Sequence, residues 1–424
     1  MKKLSLLILS AFLVLALISG CTNNPTNNSS SNNSDSISES TEPAEIVFAQ
    51  YYQQYADNMK RFEEIFNEEN PDIKLKTETY GDDFFSILKA RIASGQTPDV
   101  FATHGYTQVR VYSTQTADLS NEPFWDSIEP GFIESVLVDG KKMAFPLNVQ
   151  AYGFLYNKDI FEAAGIEKLP ETLSEFEAVC AKLKAYGVTP YGAGFKDKWI
   201  SDQISFYPYG YPTDVEEIFS DLTNKEAKLL EMEFAGNILN MLEVIKNNMQ
   251  EKPFDTDFPN QCGLLAEGTV AMISQGDWAE PVIKSINADI NIGIMGIPVS
   301  EDPEDTKVYS QASIVLNVSK DSKHLDAAKA LLNWIATSQS AKDFFAKDMK
   351  IMTSIKNTVP EDSQIMDSAL DYIQRGQIAR WGMDSFPVGL DLTGPNEEFL
   401  MGLIDKQTAL ERISELWENF DPAE

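Results

Sequence analysis

Histidine is nearly absent: His104 and His324 are the only two in 424 residues. Two isolated imidazoles cannot build a histidine-rich metal site, and no HExxH or CxxC pattern supplies one. Cysteine is equally sparse, at three residues. Cys180 shares a helical pattern with Phe176, Val179 and Leu183 and reads as a small buried hydrophobe. A Cys180–Cys262 bond is left open. Basic residues are few, with 34 Lys and Arg against 65 Asp and Glu, for a formal net charge of −31. Such a surface repels phosphate backbones and anionic headgroups. That excludes nucleic-acid binding and argues against a polyanionic ligand. The GxSxG and GxxxxGK(S/T) signatures are absent. Ser86-Ile-Leu-Lys89 matches SxxK, but it lies mid-helix without supporting motifs. Asp255-Thr-Asp257 with Asn260 lacks the glycine and closing glutamate of a calcium loop and reads as a solvated turn. No cofactor is implied.

One long apolar run does exist, at the start. Met1-Lys2-Lys3 precedes an apolar stretch over residues 4–18. It has the length of a signal-peptide core and is too short for an ordinary spanning helix. It ends Leu17-Ile18-Ser19-Gly20-Cys21. Small residues before a cysteine give a peptidase access, and the cysteine can carry a thioether-linked lipid. This resembles the bacterial lipoprotein signal, with cleavage after residue 20 and lipid on Cys21. Loss of Lys2 and Lys3 with the leader takes the net charge from −31 to −33. Residues 21–43 then form a tether rich in Asn and Ser, with too little to bury to offset ordering entropy.

About 380 residues remain, enough for two domains. They alternate strand-like and helix-like segments. Strands are expected at 45–50, 73–79 and 99–103. Helices are expected around Met59, Phe62, Ile65 and Phe66 and over 84–93, with Gly95 as a stop. This βαβαβ order argues for a parallel sheet covered by helices. The pattern restarts with strands at 143–147 and 152–156 and a short helix at 159–164. A capping box, Thr172-Leu-Ser-Glu175, opens a helix closed by Gly187. Helical spacing covers 225–248, strands recur at 270–273, 292–295 and 313–318, and a helix follows at 325–337. The tail reads as all helical. Trp125, Trp334 and Trp417 fall on amphipathic patterns and are assigned to core or surface packing.

Several stretches carry a family resemblance in their order and spacing. They are Asn70-Pro-Asp-Ile-Lys-Leu75, Ala93-Ser-Gly-Gln-Thr-Pro-Asp-Val-Phe101 and Gly140-Lys-Lys-Met-Ala-Phe-Pro146. Tyr152-Gly-Phe-Leu-Tyr-Asn-Lys-Asp159, Gly268-Thr-Val-Ala-Met-Ile-Ser-Gln-Gly-Asp-Trp278 and Asp326-Ala-Ala-Lys-Ala-Leu-Leu-Asn-Trp334 follow. Together they resemble the carbohydrate-binding extracellular solute-binding proteins, the group that includes the maltose-binding protein. The resemblance covers the chain after the tether. It implies an α/β fold of two lobes joined by crossing hinge segments near 149–151, 310–313 and 358–361. One lobe would be 44–150 plus 314–358, the other 151–313 plus 359–424. It also implies a monomer on the outer face of a bacterial plasma membrane, serving an ABC permease.

A neutral sugar presents hydroxyls at its edge and C–H patches on its faces. A receptor needs flat rings for the faces and Asp, Asn, Gln or Glu at the edges. On the family pattern, Trp278 of Gly276-Asp-Trp278 stacks on a sugar ring. Gln150 lies on the first hinge, where the maltose-binding protein places an acid. Tyr52 and Gln53 follow the first strand, within the ring- and amide-rich run Gln50-Tyr-Tyr-Gln-Gln-Tyr55. Asp197 and Trp199 occupy a second-lobe contact position. His104 follows the third strand, and Trp381 and Asp384 lie where the tail returns. Rival readings are a binding protein for a peptide or polyamine, a secreted glycan-active enzyme using two carboxylates, and a surface glycan-binder without a transporter. A polyamine site needs several cleft acids, whereas these positions are mostly aromatic and amide.

Overall fold

The computed structural model describes residues 43–387 and 389–421. The expected leader, Cys21 and the tether up to residue 42 lie outside the described residues. Among the described residues, no helix is long and apolar enough to cross a membrane, and no group of three or more His, Cys, Asp or Glu side chains is placed to hold a metal.

Among the described residues, twelve strands occur in chain order. β1 (Ala44–Gln50), β2 (Ile73–Thr79) and β3 (Val100–Thr103) come first, then the short pair β4 (Leu137–Val138) and β5 (Lys141–Lys142). β6 (Phe145–Asn157), β7 (Thr189–Gly192), β8 (Val270–Gly276) and β9 (Ile292–Met295) follow. β10 (Val308–Val318), β11 (Met352–Thr353) and β12 (Ile378–Ala379) complete the set. Ten of them form one sheet, ordered β2-β1-β3-β10-β6-β8-β7, with β9 and β11 also on β6 and β12 on β10. β1 pairs in parallel with β2 and β3, as the βαβαβ reading requires. β6 and β10 run antiparallel to each other at the centre.

These two strands organise the molecule. The start of β6 pairs with the end of β10 and with β11, while its later residues pair with β8 and β9. β10 ends against β3 and begins against β12. Each strand thus belongs to both halves of the sheet. Their mutual register shifts around Ile314. Such an irregularity bends a strand and strengthens its local twist.

Helices cover the faces. Ala56–Glu69 buries Met59, Phe62 and Phe66. Helix Leu173–Tyr186 starts where the Thr172 side chain accepts from the Glu175 N–H. The Glu175 carboxylate reaches back to the Glu171 N–H at 2.7 Å, one residue earlier than a standard capping box. Gly187 at φ +98° closes this helix, a conformation open to glycine at no steric cost.

Two large apolar cores result. One runs from β1–β3 through β6 and β10 to the helices Phe258–Ala266 and Gln364–Gln374. The other holds only residues from Tyr152 to Tyr309 and from Ala379 onward. Cys180 lies in the second core and Cys262 in the first, and both thiols are free. Trp125 and Trp334 donate their indole N–H to the Leu119 carbonyl and Glu69, and Trp417 is buried.

Three expected elements differ. The separate strands at 143–147 and 152–156 are one 13-residue strand, β6. Polar Asn148 and Gln150 interrupt its apolar pattern, yet their backbone stays in the ladder with β10. The helical stretch over 225–248 is broken. Lys225 sits at φ +63°, the turn Leu229–Glu231 follows, and the helix occupies only Glu233–Asn248. The tail is not all helical, because Ile378–Ala379 pairs with Val308 and Tyr309 of β10.

Phe62 is almost fully buried, with ring centroids 5.3–5.8 Å from those of Trp334, Phe344 and Phe345. Phe62→Ala is expected to destabilise the fold by about 3–5 kcal/mol, read from urea unfolding midpoints. A loss under about 1 kcal/mol would mean the surrounding rings collapse into the space.

Candidate binding cleft

Two groups of side chains meet over the crossing of β6 and β10. The first is delivered by the ends of β1 and β3. Gln50 is buried and wraps its amide around the following turn. Its Oε1 accepts from the Tyr52 N–H at 2.5 Å, and its Nε2 donates to the Tyr52 carbonyl and to Thr79 Oγ1. This fixes Tyr51 and Tyr52, whose ring centroids lie 4.2 Å apart. Tyr55 stands beside Tyr52, at 6.0 Å. The His104 Nδ1 lies 3.0 Å from the Ser313 carbonyl and 3.1 Å from the Tyr51 hydroxyl. A carbonyl only accepts, so Nδ1 carries the proton. Burial holds the His104 pKa below its ordinary value, which keeps the ring neutral at neutral pH. The Tyr52 hydroxyl also bonds Ser313, and burial pushes its pKa up to about 12. Ser313 lies at the register shift of β10. The first group is therefore anchored where that strand bends.

The second group follows β8 and the tail. The Trp278 indole donates to Gln275 Oε1 at 2.8 Å, Gln275 donates to Gln261, and Gln261 donates to the Gly192 carbonyl. This chain of amides seats the ring. Gly276 is needed beneath it, since a Cβ there would lie 2.2 Å from the indole. Trp278 stacks near Tyr152 (6.2 Å, 16°), Tyr152 meets Tyr207 edge-on (4.8 Å), and Tyr207 stacks on Trp381 (4.6 Å, 6°). The Trp381 backbone N–H donates to Gln311 Oε1, and Gln311 Nε2 donates to Asp384. Gln311 lies opposite Gln150 in the β6–β10 ladder, so their side chains share a face.

Two carboxylates attach to the crossing strands. Asp277 Oδ1 accepts from the Ala151 N–H of β6 at 2.9 Å, and Asp384 accepts from Gln311 of β10. Desolvation raises Asp277 to about 7, against the opposing bond from Ala151. It raises Asp384 to about 6, against the bond from Gln311. The charge of Asp277 is felt by Tyr52 and Tyr55, and that of Asp384 by Tyr51 and Tyr207. His104 and Asp384 also line a cavity of about 390 Å³ with Gln108, Asp202, Phe206 and Phe386.

The structure thus brings Trp278, Tyr52, His104, Trp381 and Asp384 together over the crossing strands, with Gln150 in the ladder beneath. Gln53 is exposed and lies over the Gly81 turn, its Oε1 3.0 Å from where a Cβ of Gly81 would be. Asp197 and Trp199 turn to another partner. Asp197 Oδ2 accepts from the Phe258 N–H at 2.8 Å, and Trp199, 39% exposed, packs on Phe258. Tyr207 and Gln311 are members that sequence reading missed. Gln311 is the antiparallel partner of Gln150, so pairing the two hinge segments would have found it. Tyr207 carries only a weak signal, the ring-rich run Tyr207-Pro-Tyr-Gly-Tyr211.

Rings, amides and acids thus gather where two strands are shared by both halves of the sheet. Residues 46–342 match the family model described as bacterial extracellular solute-binding protein. The chain belongs to this family. Relatives include the melibiose/raffinose/stachyose-binding protein MelE of Bacillus subtilis, 27% identical with 68% of each chain covered. The multiple sugar-binding protein of Streptococcus mutans is 23% identical, with 71% of this chain and 74% of that one covered. Among solved structures, apo RafE from Streptococcus pneumoniae superposes with a TM-score of 0.78 at 21% identity, covering 89% of this chain and 98% of RafE. The complex of RafE with raffinose gives 0.72 at 21% identity, covering 88% and 98%. The fold is accordingly the two-lobed α/β architecture of solute-binding proteins.

The raised acids give a signed pH dependence. An unfolded aspartate titrates near 3.9, whereas Asp277 and Asp384 titrate at about 7 and about 6 in the fold. Between about pH 4 and 7 these two sites hold more protons in the native state than in the unfolded one, so their contribution makes stability fall as pH rises through that window. Asp277→Asn with Asp384→Asn, which keeps both acceptor oxygens, should flatten that slope in urea midpoints. An unchanged slope would remove both acids from this account.

Proposed function

We propose that this solute-binding protein captures a neutral oligosaccharide between its lobes and passes it to an ABC permease, without catalysing a reaction. The observation that carries this is the ring series Trp278–Tyr152–Tyr207–Trp381 beside the shared strands, with Tyr52 within electrostatic reach of Tyr207 and edge groups fixed on both strands. The half-buried rings of Trp278 and Tyr52 would pack on sugar C–H faces, backed by the buried Tyr152 and Tyr207, and the amides and acids would pair with hydroxyls. Relatives named for melibiose, raffinose and stachyose support the same ligand class. The site would comprise Trp278, Gln150, Tyr52, Trp381, Asp384 and His104, with Gln53, Asp197 and Trp199 at its margin.

The lobes would be 44–150 plus 314–358 and 151–313 plus 359–424. The ligand touches both only when they close, so binding shifts the population towards the closed form. Export would leave Cys21 as a lipidated N-terminus on the outer membrane face. A polar tether of roughly 23 residues has a coil reach of about 25–30 Å, and the receptor would work as a monomer near its permease.

Raffinose, stachyose and melibiose are expected to raise the melting temperature, because a ligand that binds only the native state stabilises it. Trp278→Ala should abolish the rise. A shift by peptides or polyamines, and none by sugars, would overturn the carbohydrate reading. Separately, Cys21→Ser should move the protein from the membrane fraction into the medium. Retention in the membrane fraction would count against the lipid anchor.

A further inference from the structure

The tail segment beside β10 carries a second device. Ile378–Ala379 pairs with Val308 and Tyr309, and the chain continues extended through Trp381. Successive side chains in such a segment point to opposite sides. Trp381 turns to the ring ladder. Arg380 turns the other way, into a gap of about 260 Å³ lined by Tyr106, Glu134, Tyr211, Lys307 and Ser310 among others.

The Arg380 side chain is only 9% exposed, yet it meets three partners. It is paired with Glu216, it lies 3.8 Å from Glu134, and its guanidinium sits 5.3 Å from the Tyr106 ring centroid. Glu134 and Tyr106 belong to the N-terminal half. Their neighbours Val109 and Val136 pack in the core of β1–β3. Glu216 and Arg380 belong to the other half, where Val215, Phe219, Ala379 and Trp381 share the second core. The contacts to Glu134 and Tyr106 therefore cross between halves, and the pair with Glu216 does not.

The arginine is held in place by its backbone. A Cβ at Gly210 would come 2.0 Å from the Arg380 carbonyl, so that approach requires glycine. Tyr106 is held at φ +50°, ψ −106°, a costly conformation for a bulky residue that persists only where its surroundings over-determine it.

We propose that Arg380 is an interlobe clasp, drawn across the gap by Glu134 and Tyr106 and held back by Glu216. This rests on the lobe-closure reading above and adds its regulation. The two glutamates compete for one guanidinium, so their removal has opposite effects. Without Glu134, Arg380 keeps only its ring contact across the gap, beside the bond from the Thr107 hydroxyl to the Asp384 carbonyl, and the ligand-free chain shifts towards the open form. Without Glu216, the guanidinium is released to Glu134 and the chain closes further. Pairs with an exposed carboxylate are modest and screened by salt, so the open-to-closed ratio should change about two- to five-fold.

Small-angle scattering of the purified chain with no ligand added tests this. Glu134→Gln should raise the radius of gyration and Glu216→Gln should lower it. About 0.5 M NaCl should bring the unsubstituted chain towards the Glu134→Gln value while leaving that variant unmoved. Glu134 is 66% exposed and Glu216 55%, so both variants should fold, and unchanged thermal unfolding verifies it. Equal radii for all three proteins at low salt would overturn the clasp. Because no ligand is present, that result would leave the sugar reading standing if raffinose still raised the melting temperature.

Discussion

The antiparallel pairing of β6 with β10 is the constraint on which everything else depends. Tyr309 faces Tyr152, Gln311 faces Gln150, and the register slips near Ile314. A regular ladder through this point would make one stiff sheet. The slip keeps the two halves continuous in hydrogen bonding while allowing a bend between them. Both buried-edge acids attach here, Asp277 to Ala151 and Asp384 to Gln311. The His104 and Tyr52 groups attach one step further, at Ser313. The rings and acids gathered there are therefore all referenced to the same pair of strands.

The apolar cores reinforce this. The first core passes through β6 and β10 into helices of the far half, so bending is resisted by packing as well as by sheet bonds. Opposing that, the acids lose solvation where they sit. The bonds they accept from Ala151 and Gln311 offset part of that cost.

Most of the fold was legible because its signals are local. Residues 73–79, 84–93, 292–295 and 325–337 were read to the residue, from apolar spacing and stop signals. The failures are equally physical. β6 was split because its centre is polar where it faces the cleft. The break at Lys225 depends on one left-handed backbone, which no lysine announces. β12 exists only because β10 offers it a partner. Among candidate site residues, Trp278, Tyr52, His104, Trp381 and Asp384 lie at strand ends, which sequence order locates well. Asp197 and Trp199 sit at the start of the helix Lys198–Phe206, where Asp197 accepts from the Phe258 N–H, a contact between residues 61 apart. Tyr207 and Gln311 enter through tertiary pairing alone.

The seating of Trp278 has a consequence for how such a receptor can change over generations. The indole is positioned by Gln275, Gln261 and the Gly192 carbonyl, and its floor is Gly276. None of these groups needs to meet the solute. Mutational drift can therefore exchange the neighbouring rings and acids while the amide mounting stays intact. RafE, with 21% of its residues in common, keeps the same chassis.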